Sequence, residues 1–243
     1  MSRAPTGVSV AVQSPYRFVG STKGDSVSNL DPSVFATLRT EYSRIGIDEK
    51  DFDPDPFVQF GQWFGVASAA VPEANAMTLA TATAEGLPSA RTVLLKGCDE
   101  RGFAFYTNYE SKKGQELLDN PFAALLFFWK ELHRQVRVTG SVVRLTREES
   151  EAYFRSRPVG SQLSAAVSAQ SQPISDRATL EREYAALEAR YEHIQVPLPD
   201  FWGGYRVVPV SFEFWQGREN RLHDRLRYLP RPEGGWAIDR LAP

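Results

Sequence analysis

The sequence predicts an α+β protein: an antiparallel sheet closed into a barrel, with helices packed outside. Three observations carry this. Strand-like segments outnumber helical ones, and several are joined by short turns. Strands and helices do not alternate regularly, as a doubly wound parallel fold would require. Neither a Gly-rich dinucleotide fingerprint nor a Walker phosphate loop is present.

The elements follow in chain order. Residues 1–29 are rich in Ser, Gly, Pro and Val without a sustained period, and read as a disordered extension. Asp31-Pro32 places a proline at a helix start, so "SVFATLRTEYSRI" predicts a short helix. Asp55-Pro56 repeats the signal before "FVQFGQWFGVASAA", whose apolar residues recur at helical spacing. "AMTLATAT" and "SARTVLLKG" read as strands around a Glu85-Gly86 turn, and "GFAFYTN" as a third strand. "SKKGQELLDN" is a short helix opened by Ser111, followed by the strands "PFAALLFFWK" and "RQVRVTGSVVRL". Thr146 and Glu149 form a capping box for the helix "REESEAYFRSR", which Pro158 closes. An amphipathic helix is expected over 176–193. "YRVVPVSFEFW", "RLHDRLRY" and "GWAIDRLAP" complete the chain as strands, and no internal repeat is visible.

Composition narrows the function. The 243 residues include 28 basic and 30 acidic side chains, so a global basic footprint for nucleic acid is missing. Cys98 is the single cysteine, which precludes an internal disulfide and fits a reducing, cytoplasmic address. No apolar run reaches the length of a membrane span, and no apolar signal core is seen.

Against this neutral background, "WQGRENRLHDRLRY" at 215–228 concentrates positive charge. With 210–215 and 221–228 as strands around "QGREN", alternation puts Arg221, His223, Arg225 and Arg227 on one face. Pairing Trp215 with Arg221 would add the indole to that face. Such a wall suits a planar, phosphorylated anion, because arginine both stacks on rings and grips phosphate with two parallel bonds. The bland alternative is a solvated strand face.

Other groups offer related chemistry. Arg91 and Lys96 lie five apart and would point to opposite faces of a strand; by themselves they read as cations ending a buried strand. Lys112 and Lys113 follow Ser111 at a helix start, where backbone N–H groups favour phosphate. Lysines there disfavour the helix alone, which points to a ligand. Tyr153 and Arg157 share a helix face at i, i+4, and Ser161 follows the Pro158 turn, making a plausible phosphate cradle. The three histidines, His133, His193 and His223, have no metal-ligand spacing, and no metal is expected.

In order along the chain, "RTVLLK", "FYTN", "SKKG", "RQVRVTG", "YFRSRPVGSQ", "FWGGYRV", "FEFWQG", "RLHDR" and "DRLAP" resemble the pyridoxine/pyridoxamine 5′-phosphate oxidase family. The likeness runs from about Asn75 to Pro243 and extends weakly to "LRTEY" at 38–42. It implies a single FMN-binding split-barrel domain over 30–243, forming a homodimer with two sites at the subunit interface. It implies FMN contacts at Arg91, Thr92, Val93, Leu94, Leu95, Lys96, Tyr106, Thr107, Lys112, Lys113, Gln135, Gln170, Ser171, Trp215 and Arg225. It implies substrate contacts at Lys96, Tyr153, Arg157, Ser161, Arg221, Leu222 and His223, with Arg221 and His223 catalytic. Arg39 and Tyr42 would close over the substrate.

The activity implied is oxidation of pyridoxamine or pyridoxine 5′-phosphate to pyridoxal 5′-phosphate, with O2 as acceptor and H2O2 as product. The sequence departs from the family pattern at Lys112, where relatives often carry Arg, at His133, and near Ala166, where many carry Trp. Two other functions stay open at this point: a different flavin or deazaflavin reductase on the same barrel, and a non-enzymatic binder of pyridoxal phosphate.

Overall fold

The computed structural model describes residues 46–243. The expected extension over 1–29, the helix at 33–45, Arg39 and Tyr42 lie outside the described residues. Among the described residues there are nine strands: β1 (Ala76–Ala82), β2 (Pro88–Leu94), β3 (Gly97–Asp99), β4 (Gly102–Asn108), β5 (Phe122–Trp129), β6 (Arg134–Arg144), β7 (Trp202–Gln216), β8 (Asp224–Pro230) and β9 (Trp236–Arg240). All pairings are antiparallel.

The main path runs β2-β1-β5-β6-β7-β4-β3. Its two ends are consecutive in the chain, separated only by Leu95 and Lys96. At that junction the Leu95 N–H donates to the Asn75 carbonyl and the Lys96 N–H to the Ala104 carbonyl, both at 2.8 Å. One bent strand therefore curls the sheet back on itself. The long β7 divides its second edge: Trp202–Val207 pairs with β4, and Phe212–Gln216 pairs with β8. A bulge between Thr139 and Gly140 takes up the change of direction on β6. Glycine is required there, since a Cβ would lie 2.0 Å from the Val208 carbonyl oxygen. At the β1–β2 turn, Gly86 takes φ 85°, as expected for a tight hairpin.

The described residues form five α-helices, α1 (Pro56–Ala70), α2 (Lys112–Asp119), α3 (Arg147–Ser156), α4 (Val159–Val167) and α5 (Arg177–Arg190). α1 starts as the sequence predicts, with Pro56 in its first turn and the Asp55 carboxylate accepting the Phe57 N–H at 2.8 Å. Its Phe60, Trp63 and Ala67 enter the barrel core. The Phe60 ring meets Phe103 edge-on at 4.9 Å, and Trp63 meets Phe214 at 5.2 Å. The capping box of α3 is present: Thr146 N–H donates to Glu149 Oε2 and Glu149 N–H to Thr146 Oγ1. Phe154, Leu163, Val196, Leu198 and Trp202 build a second, smaller apolar cluster beneath α3 and α4.

Three expectations are corrected. The segment after Pro158 is helical, so the proline ends α3 and immediately precedes α4. Helix α5 stops at Arg190 and buries no residue, with only Tyr184 and Leu187 resting on the second cluster. The strand expected from 221 begins at Asp224, and Trp215 pairs with Arg225 rather than Arg221. The physical reason is local: Asn220 (φ 57°) and Arg221 (φ 61°) sit in a left-handed turn that no strand can contain.

Candidate functional site

A cleft of about 630 Å³ opens where β2, the end of β4, the start of α2 and the α3–α4 corner converge. It gathers Arg91, Thr92, Val93, Leu94 and Lys96 from β2 and the junction after it, Tyr106 and Thr107 from β4, and Lys113 from α2. Tyr153, Arg157, Ser161 and Gln170 complete the set of sequence-predicted residues found there. Asn108, Ser164, Ser168 and Trp202 also line it, although the sequence alone did not single them out. Leu95 is in the barrel core and Lys112 is exposed on α2, so neither side chain reaches the cleft. Ser171 is exposed just beyond Gln170, with φ 75°.

One wall is aromatic. The Tyr106 ring stacks on Tyr153 at 3.9 Å and on Trp202 at 5.6 Å, all three nearly parallel. The Arg157 guanidinium lies 4.9 Å from the Trp202 ring centre, within cation–π range. Its Nη1 is buried with no hydrogen-bond partner, and burial lowers the pKa of the group. A buried donor left unpaired is costly, so this atom awaits an acceptor. Arg157 is the residue that ends α3 rather than a member of its last turn, which turns its side chain beside Tyr153 into the same cleft.

The facing wall is cationic. The Lys113 ammonium is buried and donates to Thr107 Oγ1 (3.1 Å), Ser111 Oγ (3.3 Å) and Gln170 Oε1 (2.7 Å), all neutral oxygens. Burial, and then the charge of Arg91, push its pKa down to about 8. The Lys113 charge is therefore present below pH 8 and lost above it. A phosphate monoester is a dianion above about pH 6. Affinity for such a ligand should be level between those limits and fall as pH rises beyond 8, which a binding titration over pH 6.5–9.5 checks.

A second cluster lies on the sheet, outside the cleft. Gln135, Trp215 and Arg225 sit side by side across β6, β7 and β8. Arg225 is tied to the buried Glu213 by two bonds (3.0 and 3.2 Å), and Arg137 reaches the same carboxylate. The chain's last residues join in: Arg225 Nη1 donates to the Ala242 carbonyl and Leu241 N–H to the Arg225 carbonyl, both at 2.9 Å. Arg227 pairs with Asp239 and Arg218 with Asp224. The uninterrupted cationic wall expected here is thus corrected. Arg221 and Leu222 stand exposed in the turn, and Arg225 and Arg227 already have carboxylate partners.

His223 keeps its place by the indole, 4.8 Å from Trp215. Its Nδ1 accepts the Arg218 N–H at 3.0 Å, so in the neutral ring the proton sits on Nε2. Burial and then the neighbouring Arg221 charge lower its pKa, favouring that neutral form. Among the described residues, no group of three His, Cys, Asp or Glu is placed to hold a metal ion. Among the same residues, no helix is long and apolar enough to cross a membrane.

Residues 66–191 match the sequence profile "Pyridoxamine 5′-phosphate oxidase", and residues 202–243 match "Pyridoxine 5′-phosphate oxidase C-terminal dimerisation region". The chain is 61% identical over 207 residues to a pyridoxine/pyridoxamine 5′-phosphate oxidase of Bordetella petrii, covering 85% of this chain and 98% of that one. It is 60% identical to the protein of the same name from Rubrobacter xylanophilus, covering 86% and 96%. The structure resembles PhzG from Burkholderia lata 383, solved with tetrahydrophenazine-1-carboxylic acid: TM-score 0.77, 32% identity, 83% of this chain and all of that one. It shares its fold with a pyridoxamine 5′-phosphate oxidase-related, FMN-binding protein from Nostoc punctiforme, at TM-score 0.62 and 16% identity, covering 77% and 98%.

Proposed function

The chain belongs to the pyridoxine/pyridoxamine 5′-phosphate oxidase family, and we propose that it is an FMN-dependent oxidase that makes pyridoxal 5′-phosphate from pyridoxamine or pyridoxine 5′-phosphate. The observation that carries this is the pairing, in one cleft, of a buried ammonium bound only to neutral oxygens with a half-buried guanidinium whose buried Nη1 has no hydrogen-bond partner. Both suit anionic groups, and the parallel rings of the cleft wall suit flat ones. The residues present therefore fit a phosphorylated flavin and a phosphorylated pyridine.

Arg91, Thr107, Lys113 and Gln170 would hold the flavin from this chain. Lys96, Tyr153, Arg157 and Ser161 would take the substrate phosphate. The flavin, when bound, would supply the two-electron redox chemistry, with O2 as the acceptor and H2O2 as the product. The protein's share is to fix the reacting carbon in position and to exclude alternatives. His223, held by the Arg218 N–H, presents its Nε2–H as a donor to the pyridine ring. Arg221 adds a positive charge beside it as charge leaves the substrate.

The working unit is a homodimer with its two sites at the subunit interface. Gln135, Trp215 and Arg225 lie outside the cleft of their own chain, and a second copy would bring them to it. Phe128, 57% exposed on the outer face of β5 and opposite Gln135, adds an apolar surface to the same region. The matched dimerisation profile covers β7–β9. A cytoplasmic address fits a chain whose one cysteine cannot form an internal disulfide.

The test is an FMN titration by fluorescence quenching, followed by oxygen uptake with each phosphorylated vitamer. A yellow dimer that consumes O2 and forms pyridoxal 5′-phosphate is the expected result. A colourless protein that leaves FMN fluorescence unchanged would end the oxidase reading.

A further inference from the structure

Arg91 does not stand alone in the cleft wall. Its Nη1 donates to the Leu79 carbonyl (3.2 Å) and to the Thr81 hydroxyl, and its Nη2 to the Ser89 hydroxyl and to Glu116 Oε2 (3.1 Å). Register explains the meeting: Ser89 lies opposite Thr81 and Arg91 opposite Leu79, on one face of the β1–β2 hairpin. Both hydroxyls pass their own protons on to Glu116, Ser89 at 2.6–2.7 Å and Thr81 at 2.5 Å. Each hydroxyl thus accepts from the guanidinium and donates to the carboxylate, an arrangement in which successive bonds polarise one another. Glu116 comes from α2, one helical turn beyond Lys112, and its side chain is only 4% exposed.

We propose that Glu116 is a positioning residue for the reaction: it locks Arg91 in the cleft wall through the two hydroxyls and acts as buried counter-ion to the Arg91–Lys113 pair. Four of the five guanidinium N–H groups are committed within the protein. Arg91 therefore contributes a fixed charge and at most one donor to a ligand, not a two-pronged grip. Lys113 supplies the mobile share. The charged groups acting on Lys113 are Arg91 from β2, which lowers its pKa, and Glu116 from α2, which raises it. Its other neighbours, Thr107, Ser111 and Gln170, are neutral. Burial works against ionisation of Glu116, but bonds from Ser89, Thr81 and Arg91 outweigh it and hold the carboxylate charged. The inference rests on the reading of this cleft as a flavin-phosphate site.

The experiment titrates the Lys113 side chain by NMR in the unliganded protein and measures the FMN dissociation constant in parallel. The wild-type midpoint should fall near the pKa of about 8. In Glu116→Gln it should drop by about one pH unit, the scale of a lost neighbouring charge, and the FMN dissociation constant at pH 7.5 should rise about threefold, because the charged fraction of Lys113 there falls from about three-quarters to about one-quarter. Ser89→Ala keeps the charge but removes one relay, so it should weaken FMN severalfold while leaving the Lys113 midpoint in place. An unchanged midpoint in Glu116→Gln, or unchanged FMN affinity in a folded Ser89→Ala protein, overturns the proposal. A shifted midpoint in a protein that never binds FMN would instead support the counter-ion role and refute the flavin reading.

Discussion

Phe60→Ala should lower the unfolding free energy by about 3–5 kcal/mol, the cost of emptying a large aromatic site in a packed core. The ring is 2% exposed and lies against Phe103, Phe127 and, more distantly, Trp129. With Trp63 and Ala67 it carries α1 into the barrel core, and those neighbours belong to β4 and β5, elements fixed by their own hydrogen-bond ladders. Little collapse into the vacated space is possible, so the upper half of that range is expected. Val58→Ala, on the outer face of the same helix at 46% exposure, should change stability by no more than about 0.5 kcal/mol. Urea unfolding at one fixed protein concentration measures both. Similar costs for the two variants would mean that α1 does not plug the barrel.

Arg157→Ala should weaken phosphorylated substrate by about tenfold to hundredfold, because a hydrogen bond to a charged group contributes about 1.5–3 kcal/mol. The orphaned Nη1 gives the prediction a second limb. In the unliganded protein the guanidinium is desolvated without full compensation, so its removal should leave stability unchanged or slightly higher even as KM rises. That opposition separates a ligand-binding group from a structural one. FMN affinity should stay close to wild type. Steady-state kinetics with both vitamers, a flavin titration and thermal unfolding together decide the matter. A loss of FMN with an unchanged KM would move Arg157 to the flavin side of the cleft.

Local chemistry made some of the fold legible and left other parts hidden. Asp55-Pro56 and Thr146/Glu149 announce α1 and α3 because caps satisfy backbone donors within a few residues, and both sit where expected. The hairpin at Glu85-Gly86 is equally local. The loop after Gln216 is different. Its length is set by two left-handed residues, Asn220 and Arg221; asparagine tolerates that conformation, but nothing in the composition marks Arg221. The parity derived from a five-residue loop therefore misplaced Arg221. Helix α4 was hidden by Pro158, which reads as a terminator and serves here as a junction.

For the site, Lys113 at a helix start and the Tyr153–Arg157–Ser161 spacing were visible as weak signals. Their convergence with Arg91 and Gln170 rested on the family likeness, because strand and helix periodicity cannot state which elements meet. Glu116 escaped notice for a related reason. A glutamate inside "SKKGQELLDN" looks like ordinary helix surface, and only the packing of α2 beside β1 buries it.

The last few residues of the chain hold more than their own position. Arg225 gives one N–H to the Ala242 carbonyl and takes the Leu241 N–H on its own carbonyl. Loss of residues 241–243 would remove both contacts at once and leave the Arg225 side chain held by Glu213 alone. Intact mass at the C-terminus is therefore a criterion of quality for any preparation in which flavin content is measured, since a clipped sample could mimic a mutation in β8 without any change in the gene.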